Sequence, residues 1–244
     1  MKFPRYLFAI AFAARLGAIH GLTSPGQSPP PFRSLEAPRV MDVPVYSLAT
    51  LGPDGETNMN ILTYASPVGI RPKRTWVLSL YRATQTHANF LARGTGVLQV
   101  LREDHAQLIW HLGGTSSSSA EVDKRARCAE LGFPWRPGPA SGSSHDGPSE
   151  DVLPSDEVLP SEEVLPGCAA YYRVRLLGEL IDAGDHQVAY VALEDFFEEE
   201  SACGPSDGTN TANGGADFMS SAFLREQGLV SAVGKAIDPF DTSP

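Results

Sequence analysis

Three cysteines, at positions 128, 168 and 203, are too few and too far apart to staple a chain of 244 residues. An odd number cannot all pair within one chain, and no CxxC pair is present. A disulfide scaffold and a cysteine-rich zinc knuckle are therefore both excluded. The histidines, His87, His105, His111 and His186 among them, are scattered and form no HExxH pair. GxSxG, Walker and GxGxxG loops are also missing, which removes the nucleophile elbow, the P-loop and the dinucleotide-binding Rossmann sheet. Long apolar runs are absent too. The clearest, Leu7 to Ala14, ends at Arg15, well short of the roughly 20 residues a membrane span needs. Basic charge is scarce: 19 Lys and Arg against 29 Asp and Glu leave a net charge of -10, which argues against a nucleic-acid partner.

The charge is unevenly spread. Residues 1–35 carry Lys2, Arg5, Arg15 and Arg33 and no acid, 36–135 are nearly neutral, and 136–244 hold 5 basic and 20 acidic groups. The acid-free start, its apolar stretch and the Pro/Ser-rich break before Phe32 read as a targeting segment over 1–39. A plastid or mitochondrial transit peptide fits Arg15 and the lack of a disulfide framework. A secretory signal ending near Ala18 is the alternative. On either reading the mature chain has no transmembrane segment.

What is present from Val43 onward is β-pattern. "VPVYSLATL", "TNMNILTYASPV", "TWVLSLY" and "TGVLQVLR" read as four strands, the first two joined by a Pro-Asp-Gly turn. In the third, Trp76, Leu78 and Leu80 share one face. "THANFLARG" predicts a helix capped by Thr86 and stopped by Gly94. "DHAQLIWHLGG" predicts a short helix capped by Asp104, and "SAEVDKRARCAELGF" another with Val122, Ala126 and Ala129 at helical spacing. "AAYYRVRLLGELIDAGDHQVAYVALEDFF" reads as a hairpin around "DAGDH". Many strands, few short helices and no βαβ rhythm predict a small barrel over 40–200.

That barrel is interrupted at 136–164. A Gly/Ser stretch leads there into "SEDVLPSDEVLPSEEVLP", one six-residue unit repeated from Ser149, Ser155 and Ser161. A proline in every unit forbids a continuous helix, and clustered acids repel. The segment reads as a long acidic disordered insertion outside the barrel. A polar spacer at 201–216 precedes a helical C-terminal tail over 217–244, with Phe218, Ala222 and Leu229 as its apolar stripe.

Small polar groups gather near the ends of the strands. Asn58, Asn60, Thr63 and Ser66 belong to the second strand, and Thr84, Thr86 and His87 open the first helix. Hydroxyls, amides and unpaired first-turn N–H groups can form a nest for phosphate, with Lys124 or Arg125 neutralising charge. Each residue also has a structural reading, as turn former, strand former or cap.

These segments, in this order, resemble the flavin reductase-like, FMN-binding split-barrel family. The stretch from "VYSLATLGPDGETN" to "GTGVLQVL" resembles its strand, DG-x-x-N turn, "SPV…P" segment, threonine-bearing loop and helix. "GGTSSSSAEVDKRARCAELGF" resembles its glycine/serine loop and Asp-Lys helix, and "AGDH" its Gly-Asp-His turn. The resemblance implies a split β-barrel binding FMN, NAD(P)H as hydride donor, and a homodimer. It places Asn60, Thr63 and Ser66 beside the flavin, Thr84, Thr86 and His87 near its phosphate, and Lys124 in the Asp-Lys helix. His186 takes the catalytic position on the nicotinamide side. Arg125 departs from the family's aromatic after Asp-Lys. The alternative function is a non-catalytic flavin-binding or interaction module.

Overall fold

The computed structural model describes residues 34, 41–114, 123–138, 161–199, 218–231 and 235–238. The chain divides into units Met1–Arg39 and Val40–Pro244, and all that follows concerns the second. The targeting segment, the serines 116–119, residues 139–160 of the insertion and the 201–216 spacer lie outside the described residues. Among the described helices none is long and apolar enough to cross a membrane.

β1 (Tyr46–Leu51) and β2 (Thr57–Leu62) form the first hairpin, in register from Tyr46 opposite Leu62 to Leu51 opposite Thr57. Its turn closes because Asp54 Oδ1 accepts the Glu56 N–H at 3.0 Å, an Asx turn. The single strand expected over 57–68 is in fact two. β2 ends at Leu62, and β3 (Ala65–Gly69) resumes after Thr63–Tyr64 and pairs with β4 (Thr75–Tyr81) instead of β1. α1 (Gln85–Arg93) follows, then β5 (Thr95–Val100), β8 (Ala170–Leu176), β9 (Ile181–Ala183) and β10 (His186–Phe197). The expected hairpin is thus three strands. β9 turns tightly into β10, and β10 pairs with β9, β4 and β8, the last pairing carrying a register shift between Leu193 and Asp195.

The strand order is β2-β1-β5-β8-β10-β4-β3. Laid flat, six inter-strand steps of about 4.8 Å would part β2 from β3 by about 29 Å. Yet Leu62 and Ala65 are three residues apart, within about 11 Å along the chain. The sheet must therefore curl until its two edges meet, and since β2 does not pair with β3 the barrel is split there.

Curling gives the sheet two buried faces, which is why β1 is buried at all six positions instead of alternating. Leu48, Leu78, Leu80, Phe90, Leu98 and Val191 meet in one cluster. On the other face Ala49, Met59 and Val97 pack with Leu108, Leu112 and Leu165. The second cluster is roofed by a 3₁₀ helix (Glu103–Leu108), a π turn (Trp110–Gly114) and α2 (Lys124–Glu130).

The caps differ from expectation. Thr84, not Thr86, caps α1, accepting the His87 N–H at 3.2 Å, while Thr86 is buried in the first turn. Gly94 ends α1 at φ 69, as a C-terminal glycine can. The 3₁₀ helix starts after Arg102, so Asp104 lies inside it. α2 begins after its cap Asp123 and carries Ala126 and Ala129, while Val122 lies outside the described residues.

Both ends of the segment expected as an insertion are paired strands. β6 (Arg136–Pro137) pairs with β7 (Glu163–Val164), and Gly138 N donates to Glu162 O at 2.9 Å. Residues 136–138 and 161–164 are therefore built into the fold. The tail is less helical than expected: α3 (Ser221–Glu226) is six residues, so Phe218 and Leu229 do not share its stripe. Met219 instead wedges between β-strand ends, accepting the Val45 N–H and donating to Leu101 O.

Candidate functional site

Alternation along β2 turns Met59 and Ile61 to the outer cluster, and Asn58, Asn60 and Leu62 to the face carrying Leu48 and Tyr46. Two asparagines thus point inward, where polar groups need partners. Asn58 has one: its Nδ2 donates to Thr86 Oγ1 at 2.6 Å, tying β2 to the first turn of α1. Asn60 is 7% exposed, and its Oδ1 is buried without a hydrogen-bond partner among the described residues. Thr84 donates to Tyr81 O and accepts the His87 N–H, satisfying one of the first-turn donors that a helix cannot pair internally.

The β9–β10 turn closes over this end. His87 Nε2 meets Gln187 Oε1 at 2.7 Å, Gln187 Nε2 donates to Asp182 at 2.7 Å, and Arg82 pairs with Asp182 at 2.5 Å. The bond from Gln187, helped by the Arg82 charge, holds the Asp182 carboxyl below its ordinary range. His186 is directly opposite Tyr81 across β10 and β4, and its ring lies 5.3 Å from Tyr81 and 5.9 Å from Tyr64. Its Nδ1 meets Asp185 Oδ1 at 2.7 Å, which lowers the Asp185 pKa.

The predicted residues are thus partly assembled. Asn60 with β2, Thr84, Thr86 and His87 at α1, and His186 on the covering turn belong to connected elements. Thr63 is half-buried in the β2–β3 link, and Ser66 is exposed, its hydroxyl 3.5 Å from Pro67 O. Lys124 is turned elsewhere. It is 7% exposed, and its ammonium donates to Met59 O at 3.1 Å and Leu112 O at 3.0 Å. Burial pushes its pKa down to about 8. It pins β2 to the π turn and is no free counter-charge. Arg125 pairs with Glu163 and Glu56. Sequence reasoning missed Tyr64 and Tyr81, exposed aromatics flanking His186. The available signal was their position beside Thr63 and before the threonine loop.

A separate cleft of about 600 Å³ opens at the other end of β4, walled by Trp76, Tyr172, Leu193 and Phe196. Arg74 sits over Phe196, 5.6 Å from the ring centre. None of the predicted site residues lines it.

The flavin reductase like domain matches residues 39–206 of this sequence, more than half of the chain. The chain belongs to the flavin reductase-like family of FMN-binding split barrels. Its general character is that of a flavin reductase-type oxidoreductase. Similar solved structures include the following three, of which the first shares the fold. The FMN-binding protein of Thermus thermophilus, with bound p-hydroxybenzaldehyde, has a TM-score of 0.50 at 16% identity, over 71% of this chain and 82% of that one. A homologue of nitrilotriacetate monooxygenase component B from Mycobacterium thermoresistibile has 0.48 at 16% identity, over 66% and 72%. The Streptomyces globisporus NADH:FAD oxidoreductase SgcE6 has 0.47 at 14% identity, over 65% and 77%. The comparison with curated proteins found no match.

Proposed function

We propose that this protein binds FMN along β2, the Thr63–Ser66 link and the N-terminus of α1, and uses NAD(P)H as its reductant. The observation that carries this reading is Asn60 Oδ1, a buried acceptor with no partner among the described residues, in a family whose members bind a flavin. A buried oxygen left unpaired costs about 1–3 kcal/mol, so a ligand N–H or hydroxyl there removes a real penalty. The donor set at α1 suits the phosphate: the Gln85 and Thr86 N–H groups belong to the first turn, and a helix start favours anions. Thr63 and Ser66 supply hydroxyls for the polyol.

Bound flavin supplies the two-electron redox chemistry. This chain's residues bind and orient. Thr84 and the Asn58–Thr86 bond hold the helix end in place, and His87 through Gln187 fixes the covering turn. His186, between Tyr64 and Tyr81, offers a ring edge on the nicotinamide side. A homodimer belongs to the same reading, with exposed Val68, Ile70 and Phe196 as apolar surface for it. Organellar delivery is the matching proposal for residues 1–39, tested by fusing 1–40 to a fluorescent reporter.

The test is an absorption titration with FMN followed by anaerobic NADH or NADPH. Flavin binding and bleaching, with FMN affinity lowered at least about tenfold in Asn60→Ala, are expected. Binding without bleaching would leave a non-catalytic flavin module, and no binding would overturn the proposal.

A further inference from the structure

The third copy of the acidic repeat, Ser161–Pro166, is not loose. It lies in a groove whose walls come from four separate parts of the sequence. Glu162 is 4% exposed and faces Arg173 at 3.7 Å, and its carbonyl accepts the Gly138 N–H. Glu163 pairs with Arg125, and its N–H donates to Thr57 Oγ1 at 2.9 Å. Val164 and Leu165 are buried in the outer core at 1% and 0% exposure. The Leu165 N–H donates to Gln99 Oε1 at 2.6 Å, and its carbonyl accepts from Tyr171 OH at 2.8 Å. Pro166 O meets His105 Nε2 at 2.9 Å.

Position by position, the groove reads acid, acid, Val, Leu, Pro. Arginines answer both acids, a core pocket takes the Val-Leu pair, and side chains of Gln99, Tyr171 and His105 satisfy the backbone. The same pattern occurs twice upstream, as Glu150-Asp151-Val152-Leu153-Pro154 and Asp156-Glu157-Val158-Leu159-Pro160. We propose that this groove is a receptor for the six-residue motif, and that Ser155–Pro160, with Ser149–Pro154 behind it, is a reserve occupant when Ser161–Pro166 is displaced.

Two features of the third copy make it the favoured occupant. It alone carries glutamate at both acid positions. It alone is followed by glycine: Gly167 has φ 76, and its N–H donates to Glu199 at 2.6 Å. Docking the second copy sets Ser161 in that left-handed position, which L-residues resist, and exchanges Glu162 for the shorter Asp156. The repeats are six residues apart, so the exchange shortens one loop and lengthens the next, a change loop-closure entropy tolerates. Reserve occupancy thus sits above the ground arrangement and emerges once the third copy is damaged.

The test is a double-mutant comparison in the full chain. The third copy is disabled by Val164→Asp/Leu165→Asp, and the two upstream copies by Val152→Asp/Leu153→Asp/Val158→Asp/Leu159→Asp. Thermal unfolding is measured for each set and for both together. With a reserve available, the damage from losing the third copy is limited to the gap between the two registers. Its Tm loss is then at most about half of that seen when all copies are disabled, while the upstream set alone leaves Tm unchanged. Leu165→Ala in both backgrounds repeats the comparison with a milder lesion that keeps the protein folded. Equal losses with and without the upstream copies, or a fall in Tm from the upstream set alone, would overturn the proposal.

Discussion

Replacing Lys124 by methionine tests whether a buried ammonium is held at a cost between β2 and the π turn. The unfolded-chain pKa is 10.5, and burial lowers it to about 8 in the folded protein. Because the folded state binds its proton less tightly, the unfolded state carries more protons between those values, and stability must rise with pH across that window. With these two pKa values the gain is about 2.5 kcal/mol between pH 7 and pH 10. The neutral amine still has two N–H groups for the carbonyls of Met59 and Leu112. The methionine variant loses the titration but strands both carbonyls, at about 1–3 kcal/mol each. At pH 7 these effects nearly cancel, so the absolute difference decides little and the slope decides everything. Urea unfolding of both proteins at pH 7, 8, 9 and 10 is the assay. Subtracting the variant's curve removes the common titration of tyrosines and other lysines. Wild type should gain on Lys124→Met by about 2.5 kcal/mol, and a flat difference would refute a desolvated lysine.

Other outcomes follow from the same geometry. Thr84→Ala removes the α1 cap, so it should cost about 1 kcal/mol and weaken FMN more than riboflavin, measured by calorimetry, since the helix end faces the phosphate in the proposed site. Glu199 accepts from Tyr171 OH, the Gly167 N–H and Arg136, which together outweigh desolvation and lower its pKa from 4.5. Its stabilisation is therefore present above pH 4.5 and lost as pH falls through the lower folded value. Glu199→Gln should flatten that acid limb in guanidinium titrations. Burial pushes the Cys168 thiol up to about 12 and raises that of Cys128, so in the native protein neither should react with Ellman's reagent at pH 8. Both should react in denaturant, and native labelling of peptides carrying either cysteine would contradict the buried placement.

Much of the architecture was legible in local pattern. Period-2 alternation in "TWVLSLY" and turn chemistry in "GPDGE" and "AGDH" are properties of neighbouring residues, so strands and turns could be read without knowing what lay opposite. The seven-strand order could not. That β2 and β3 part company at Thr63–Tyr64 follows from closing a curled sheet, and closure depends on residues more than a hundred positions away. The candidate site divides the same way. Asn58 and Asn60 could be placed on one strand face from alternation alone. Whether either had a partner was settled by where α1 packed: Asn58 met Thr86, and Asn60 Oδ1 met no hydrogen-bond partner among the described residues.

The sharpest division concerns charge. From sequence, Lys124 was a cation for a phosphate and the third acidic repeat a solvated run, because a charged side chain is ordinarily exposed. Tertiary structure reversed both by bringing partners from far along the chain, two carbonyls to Lys124 and Arg173 and Arg125 to Glu162 and Glu163. Local sequence determined which segments were strands, turns and helices, because backbone preference and alternation are set by adjacent residues. Burial of polar and charged groups was decided only by the fold, because desolvation is tolerable only where a distant partner happens to arrive.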